Sequence, residues 1–217
     1  MDRLPERDLF VVGAGGHGRE LHSYIQDLQR AGWTGNLRGY LDDSLAPGLH
    51  GRIQVLGPLD SLEPYKAQYI TAFGSNPLRR EMVARITALY GDALTPFTLL
   101  HPHTSIGEDN AIGAGTCLAP GVIVTAKTTV GRHCILNVKV SVSHDCTIGD
   151  FVNINPGATV CGSVTVGDGV YIGTGATVKE RISIGAWSII GAGAVVVRDV
   201  PPNVTAVGVP ARVIKQS

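Results

Sequence analysis

From Leu100 onward the chain places an aliphatic residue at every sixth position: Leu100, Ile106, Ile112, Leu118, Val124, Val130, and so on without a gap to Val196. A helix face returns every 3.6 residues and a strand alternates every two, so a period of six belongs to neither. It fits the flat side of a prism. Each hexapeptide is a short strand plus a corner with its aliphatic residue pointing inward, and three of them close one coil. Residues eighteen apart then stack, and Leu100 to Val196 makes between five and six coils with no loop inserted between them. Glycine often follows the aliphatic residue (Gly107, Gly113, Gly131, Gly149, Gly167, Gly173, Gly185, Gly191), and it is expected to permit the bend at each corner. Such a prism exposes flat faces that three copies side by side would bury, and its open ends need caps.

Before about Thr98 the pattern changes. Asp8 to Val12 is a short apolar strand running into Gly13-Ala14-Gly15-Gly16-His17-Gly18, followed by a helical stretch from Arg19 to Ala31 that Gly32 stops. A second strand, Leu37 to Leu41, ends at Asp42-Asp43. A third, Gln68 to Phe73, ends at Gly74-Ser75-Asn76-Pro77 before a helix from Pro77 to Tyr90. The plan is a small Rossmann-like α/β domain with a parallel sheet over residues 1–97, then a left-handed parallel β-helix with a proline-rich C-terminal tail over residues 98–217.

Composition adds exclusions. Lys plus Arg and Asp plus Glu are both 18, so the net charge is zero and no basic field exists for a nucleic acid or an anionic membrane. The segment Met1 to Arg7 is charged and precedes only a short apolar run, so neither a signal peptide nor a transmembrane segment is expected there and the default is a cytoplasmic protein. The four cysteines, Cys117, Cys134, Cys146 and Cys161, form no C-x-x-C pair and read as reduced apolar fillers. Glycine at 28 residues with aromatics at 6% fits many tight bends and no bulky core, as in a solenoid.

Two motifs carry candidate chemistry. Gly13, Gly15 and Gly18 match G-x-G-x-x-G, with Asp42 and Asp43 at the end of the next strand where an acidic group meets a ribose. The domain is short for a dinucleotide fold, so one nucleotide is expected, with a ligand-free strand-to-helix turn as the alternative. His17 sets an imidazole beside the loop amides, within reach of a phosphate or a sugar hydroxyl. The second motif is Val142-Ser143-His144-Asp145-Cys146, where His144 supplies a base near working pH and Asp145 can orient it. Neighbours on a strand point to opposite faces, so contact between these two requires a bend; without one, His144 is an exposed coil residue. His101, His103 and His133 are spaced poorly for a metal site, and no metal is expected. Asn137 and Asn155 stack above Gly173 and Gly191, either as a groove wall for an extended ligand or as an ordinary asparagine ladder.

These residues resemble the sialic acid O-acetyltransferase and bacterial UDP-4-amino-sugar N-acetyltransferase family. The matching pieces are Gly13 to Gly18, Leu41-Asp42-Asp43, Gly74-Ser75-Asn76 with Arg79, Leu136-Asn137, His144 to Asp150, and Gly208-Val209-Pro210-Ala211-Arg212. The resemblance implies a homotrimer with active sites between adjacent β-helices. It implies acetyl-CoA as co-substrate, matched at Asn155, Gly162, Gly173, Thr174 and Ala192, with Arg212 or Lys215 near its phosphates. It also implies a nucleotide-linked amino sugar held by Gly13, Gly15, Gly16, His17, Gly18, Asp42 and Asp43, with Asn76 and Arg79. His144 is the matching base and Asp145 its partner, and transfer is direct. Asn153 stands where many members carry a second histidine. The expected activity is N-acetylation of a UDP-linked 4-amino sugar; O-acetylation of sialic acid and a non-catalytic nucleotide-sugar scaffold are the alternatives.

Overall fold

The computed structural model describes residues 8–63 and 65–216, so Met1 to Arg7 lies outside the described residues. Two compact units meet in the chain between Thr98 and Leu99.

The first unit is a six-stranded sheet flanked by helices. Strands β1 (Asp8–Val12), β2 (Asn36–Leu41), β3 (Gly48–His50), β4 (Ile53–Gly57), β5 (Ala67–Thr71) and β6 (Leu94–Pro96) lie in the order β3-β4-β2-β1-β5-β6. Their pairings are parallel except β3 with β4. That antiparallel edge is a difference from the expected all-parallel sheet. Its signals were the alternation of Ile53, Gln54 and Val55, buried, exposed, buried, and the left-handed turn at Gly51 (φ 66°). Helix α1 (Gly16–Arg30) buries Leu21, Tyr24 and Ile25 along one face, and α2 (Asn76–Tyr90) starts at Ser75, whose hydroxyl accepts from Leu78 N–H. The core joins Phe10, Val12, Leu41, Tyr69, Met82 and Ile86 between sheet and α2.

Because β1 pairs with β2 on one side and β5 on the other, the sheet changes winding direction at β1. In open α/β sheets this switch point leaves a crevice at the carboxyl ends of the strands. The glycine loop after β1 and the Gly74 loop after β5 both emerge there.

The second unit is the left-handed β-helix. Two-residue strands pair in parallel eighteen residues apart: Cys117–Leu118 lies on Ile135–Leu136, Ile123–Val124 on Ser141–Val142, and Thr129–Val130 on Thr147–Ile148. Three sheets result, running from Leu99–Leu100, Ser105–Ile106 and Ala111–Ile112. The six-residue aliphatic column points inward, with Val124, Val142, Val160 and Val178 wholly buried, each worth roughly 1.5–3 kcal/mol. At the first coil the same column is open, Leu100 and Ile106 being exposed. After the last coil, Val204–Val207 continues one sheet, and Arg212–Gln216 folds back antiparallel on it.

The corners correct one expectation. The left-handed residue falls three positions after the aliphatic one, at every sixth residue from Asp109 to Gly193, with φ between 50° and 78°. Glycine fills some of these corners, but Lys127, Asp145, Phe151 and Trp187 fill others. The glycine next to the aliphatic residue serves close approach instead. A Cβ on Gly131 would stand 2.5 Å from the Gly149 carbonyl carbon and oxygen one coil on. Bulky corners recover part of their strain by stacking, as His133 does on Phe151 with ring centroids 5.4 Å apart.

Candidate active site

In the second unit the chemistry gathers at one corner. Val142 ends a strand and Asp145 takes the left-handed conformation (φ 56°), so the chain turns between His144 and its neighbour and both side chains leave on the same side. This is the bend that contact between them requires. His144 Nδ1 and Asp145 Oδ2 are 2.7 Å apart, and both side chains are more than half exposed. Donation from Nδ1–H to the carboxylate leaves the Nε2 lone pair for a proton. The main chain beneath is tied down: Asp145 N–H donates to Ala126 O, and Ser163 N–H to His144 O. The Cys146 thiol donates to the Cys161 carbonyl, and burial raises its pKa, so it stays a protonated filler.

The residues matched to the donor fall on two different corners of the prism. Gly162 stacks one coil beyond His144, on the corner after the Ser141–Val142 sheet. Asn155 and Gly173 form one column, Thr174 and Ala192 the next, on the corner after the Asn153–Ile154 sheet. Asn155 is buried and donates to Ile172 O at 2.7 Å, which is the asparagine-ladder role; Gly173 lies against Ala192 N. Asn153 is buried and donates to Asn155 Oδ1 at 3.4 Å. Arg212 and Lys215 lie on the exposed C-terminal strand. A cavity of about 170 Å³ at Arg212 is lined by Arg198, Asp199 and Val213 among others. The sequence reading missed Arg198; its stacking on Glu180, Gly162 and His144 in steps of eighteen was the available signal.

In the first unit, Gly13 (φ 104°) makes the turn and Gly18 lets α1 approach, since a Cβ there would lie 2.5 Å from Gly13 O. Gly15 faces open space, and a Cβ on Gly16 would meet only the Arg19 guanidinium, at 3.9 Å. His17 pairs Nδ1 with Glu20 at 2.8 Å, lowering the Glu20 pKa, while its Nε2 is buried without a partner among the described residues. That atom is left with an unmet hydrogen-bonding capacity.

The two aspartates have structural work already. Asp42 accepts from Ala14 N–H at 2.8 Å and Ser44 N–H at 2.9 Å, fastening the glycine loop to β2. Asp43 accepts from Leu59 N–H at 2.9 Å and pairs with Arg85. Arg79 is 1% exposed, donates to Phe73 O at 2.7 Å and bonds Asn76, so it shapes the Gly74 loop from inside the protein. Between these loops lies a cavity of about 180 Å³ lined by Val12, Leu41, Asp42, Phe73, Leu78 and Met82 among others. Its apolar wall from α2 was not read from the sequence, because the helix face that makes it is indistinguishable there from a core face.

The Leu59 N–H, and then the Arg85 guanidinium, hold the Asp43 carboxyl below its usual range. A depressed pKa stabilises the fold fully above the unfolded value of roughly 4, and the contribution is lost as pH falls through the lower folded value. Asp43→Asn should therefore cost about 1 kcal/mol or less at pH 7, the carboxylate being 39% exposed. In calorimetric scans from pH 7 to 3, the gap from the parent should close below about pH 4.

An open α/β sheet with a crevice at its switch point, followed by a hexapeptide prism with a histidine–carboxylate pair at a corner, defines the class of hexapeptide-repeat acyltransferases. Residues 8–86 match the PglD N-terminal domain model, and residues 163–198 the bacterial transferase hexapeptide (six repeats). A GDP-perosamine N-acetyltransferase of Escherichia coli O157:H7 is 35% identical over 130 residues, 59% of this chain and 58% of that relative's length. The acetyltransferase domain of PglB from Neisseria gonorrhoeae FA1090, solved in complex with acetyl coenzyme A, is 31% identical with a TM-score of 0.85 over 96% of this chain and 100% of that one. PerB from Caulobacter crescentus, solved with CoA and GDP-perosamine, is 30% identical with a TM-score of 0.85 over 99% and 100%. The chain belongs to this family of sugar acetyltransferases, which joins a PglD-type N-terminal domain to a hexapeptide-repeat β-helix.

Proposed function

We propose that this protein transfers the acetyl group of acetyl-CoA to the amine of a nucleotide-linked amino sugar, with His144 as general base. The observation that carries the reading is the 2.7 Å His144–Asp145 pair, which orients an exposed imidazole whose second nitrogen is free to act. The neutral amine attacks the thioester carbonyl while Nε2 takes its proton. The tetrahedral oxyanion meets corner amides, Gly162 N–H among them, and the carbon–sulfur bond then breaks. The CoA thiolate recovers the proton from the imidazolium, leaving the N-acetyl sugar and CoA.

The first unit holds the nucleotide. Its α1 N-terminus and the loop from Gly13 to Gly18 face the diphosphate, His17 Nε2 a sugar or phosphate oxygen, and the apolar cavity the base. Asp42, Asp43, Asn76 and Arg79 support this crevice through the loops they tie. Acetyl-CoA is the donor, with its phosphates toward Arg212 or Lys215. Since Asn155, Gly173, Thr174 and Ala192 lie on a different corner from His144 and Gly162, one donor touching both sets spans two copies of the prism. That supports a homotrimer in which neighbouring protomers share each site. A small acceptor in the cytoplasm fits the balance of 18 basic and 18 acidic residues.

The test is thiol release from acetyl-CoA with UDP- and GDP-linked 4-amino sugars in parallel arms, and free sialic acid as a third. Release with either nucleotide arm supports N-acetylation and names the nucleotide; the Escherichia coli and Caulobacter crescentus relatives are named with GDP-perosamine, while the resemblance read from the sequence favours UDP. Release with sialic acid alone assigns O-acetylation instead. CoA and sugar binding without release assigns a scaffold.

A further inference from the structure

We propose that Gly162 is the seat of the catalytic imidazole, a positioning residue that works by having no side chain. This rests on His144 being the base. Backbone conformation does not demand glycine at this place, since Gly162 is outside the left-handed set. Close backbone approach does not demand it either. The three nearest atoms to a Cβ built there all belong to the His144 ring: Cε1 at 2.7 Å, Nε2 at 2.8 Å and Nδ1 at 3.3 Å. Gly131, by contrast, is confronted by the main chain of the next coil.

The ladder fixes the distance that makes this seat. Ser163 N–H donates to His144 O at 2.9 Å, and Arg181 N–H to Gly162 O at 3.0 Å, holding consecutive coils one strand spacing apart, about 4.8 Å. A ring laid on the next coil needs roughly 3.5–4 Å of that. The remainder admits a hydrogen but no methyl group. The ring therefore lies between the Gly162 backbone and the Asp145 carboxylate, one fixing its tilt and the other its rotation. A side chain at Gly162 would leave the fold alone, because the displaced atoms are the far end of an exposed side chain with open solvent to enter. It would move Nε2 from the acceptor, and misplacement by about 1 Å can cost on the order of a hundredfold in rate.

The experiment is Gly162→Ala, read four ways. Its crystal structure should show the His144 ring swung from the 162 position, with the contact to Asp145 lost. Its thermal midpoint should stay within about 2 °C of the parent, as for a surface substitution. CoA binding by titration calorimetry should stay within about twofold, because Gly162 meets the donor through a backbone N–H that alanine keeps, while kcat with the acceptor turned over in the panel falls about 10- to 100-fold. On a His144→Ala background, Gly162→Ala should change kcat by less than about twofold, since the ring it displaces is already gone. A ring that stays in place in the variant crystal overturns the proposal whether or not an acceptor has been found. So does a rate loss matched by weaker CoA binding, which would put the effect of the added methyl on the donor and not on the ring. Full activity of His144→Ala alone would sink the base assignment, while the seat would still be judged from the ring position.

Discussion

Alanine at His144 should lower kcat by roughly 10²- to 10⁴-fold, the range over which a positioned acid–base group contributes, without unfolding the protein. The two halves of this expectation have separate causes. Direct transfer to an amine needs a proton acceptor at the moment of attack, and the substitution removes the imidazole that would take the proton. Stability is spared because the His144 side chain is 62% exposed and its hydrogen bond is to a side chain 54% exposed, a pair of small energetic weight. The main-chain bonds at the corner persist in the variant. Thiol release from acetyl-CoA with the active acceptor, set beside calorimetric midpoints, checks both halves. A rate within a few fold of the parent would remove His144 from the chemistry.

Alanine at Gly131 should do the reverse, destabilising the β-helix by about 3 kcal/mol or more while leaving the site's composition untouched. Its new Cβ would stand 2.5 Å from the Gly149 carbonyl atoms and from Asp150 Oδ1, and that carboxylate caps Arg132 N–H. Backbone cannot rotate out of the way, so coils must part along the prism and ladder bonds lengthen on both sides. For a chain of this size the loss corresponds to a fall of roughly 6–12 °C in Tm. Gly175→Ala is the matched control. Gly175 has no atom within 4 Å of a Cβ and only its φ of 66° to penalise alanine, so about 1 kcal/mol is expected there. Near-equal losses at the two positions would show that corner strain, rather than coil spacing, governs where glycine is required.

The aliphatic column was legible because a period of six over so many turns has few physical readings, and each two-residue strand falls where the column puts it. The corners were not, because the left-handed position tolerates lysine, aspartate, phenylalanine and tryptophan once the ladder on either side has fixed the chain. No residue type marks it. The glycines that do repeat mark the neighbouring column, which is why they suggested the wrong position for the bend. In the first unit, β1, α1, β2, β5 and α2 followed from apolar runs and the glycine and proline stops, whereas the β3–β4 edge is short and held mainly by its partner strand. Among the candidate site residues, the His144–Asp145 contact could be posed as a geometric condition and then met by Asp145 turning left-handed. Arg79 came in only as a sugar-nucleotide contact implied by the resemblance, and its depth was not legible because sequence assigns charge without burial; oxygens of Phe73 and Asn76 accept from its buried guanidinium.

The unbroken stacking in steps of eighteen gives this molecule a phase as well as a length. A segment gained or lost in a whole coil returns every later residue to its own edge of the prism, shifted along the axis by one strand spacing. Six residues added after His144 would instead turn the remaining coils by a third of a revolution, carrying Gly162 and Arg198 to another edge while the interior pattern stayed satisfied. The interior would accept such a change and the chemistry would not. Tolerated changes in length near His144 should therefore come in eighteens, and the spacing between base and C-terminal strand behaves like a screw thread that engages only at full turns.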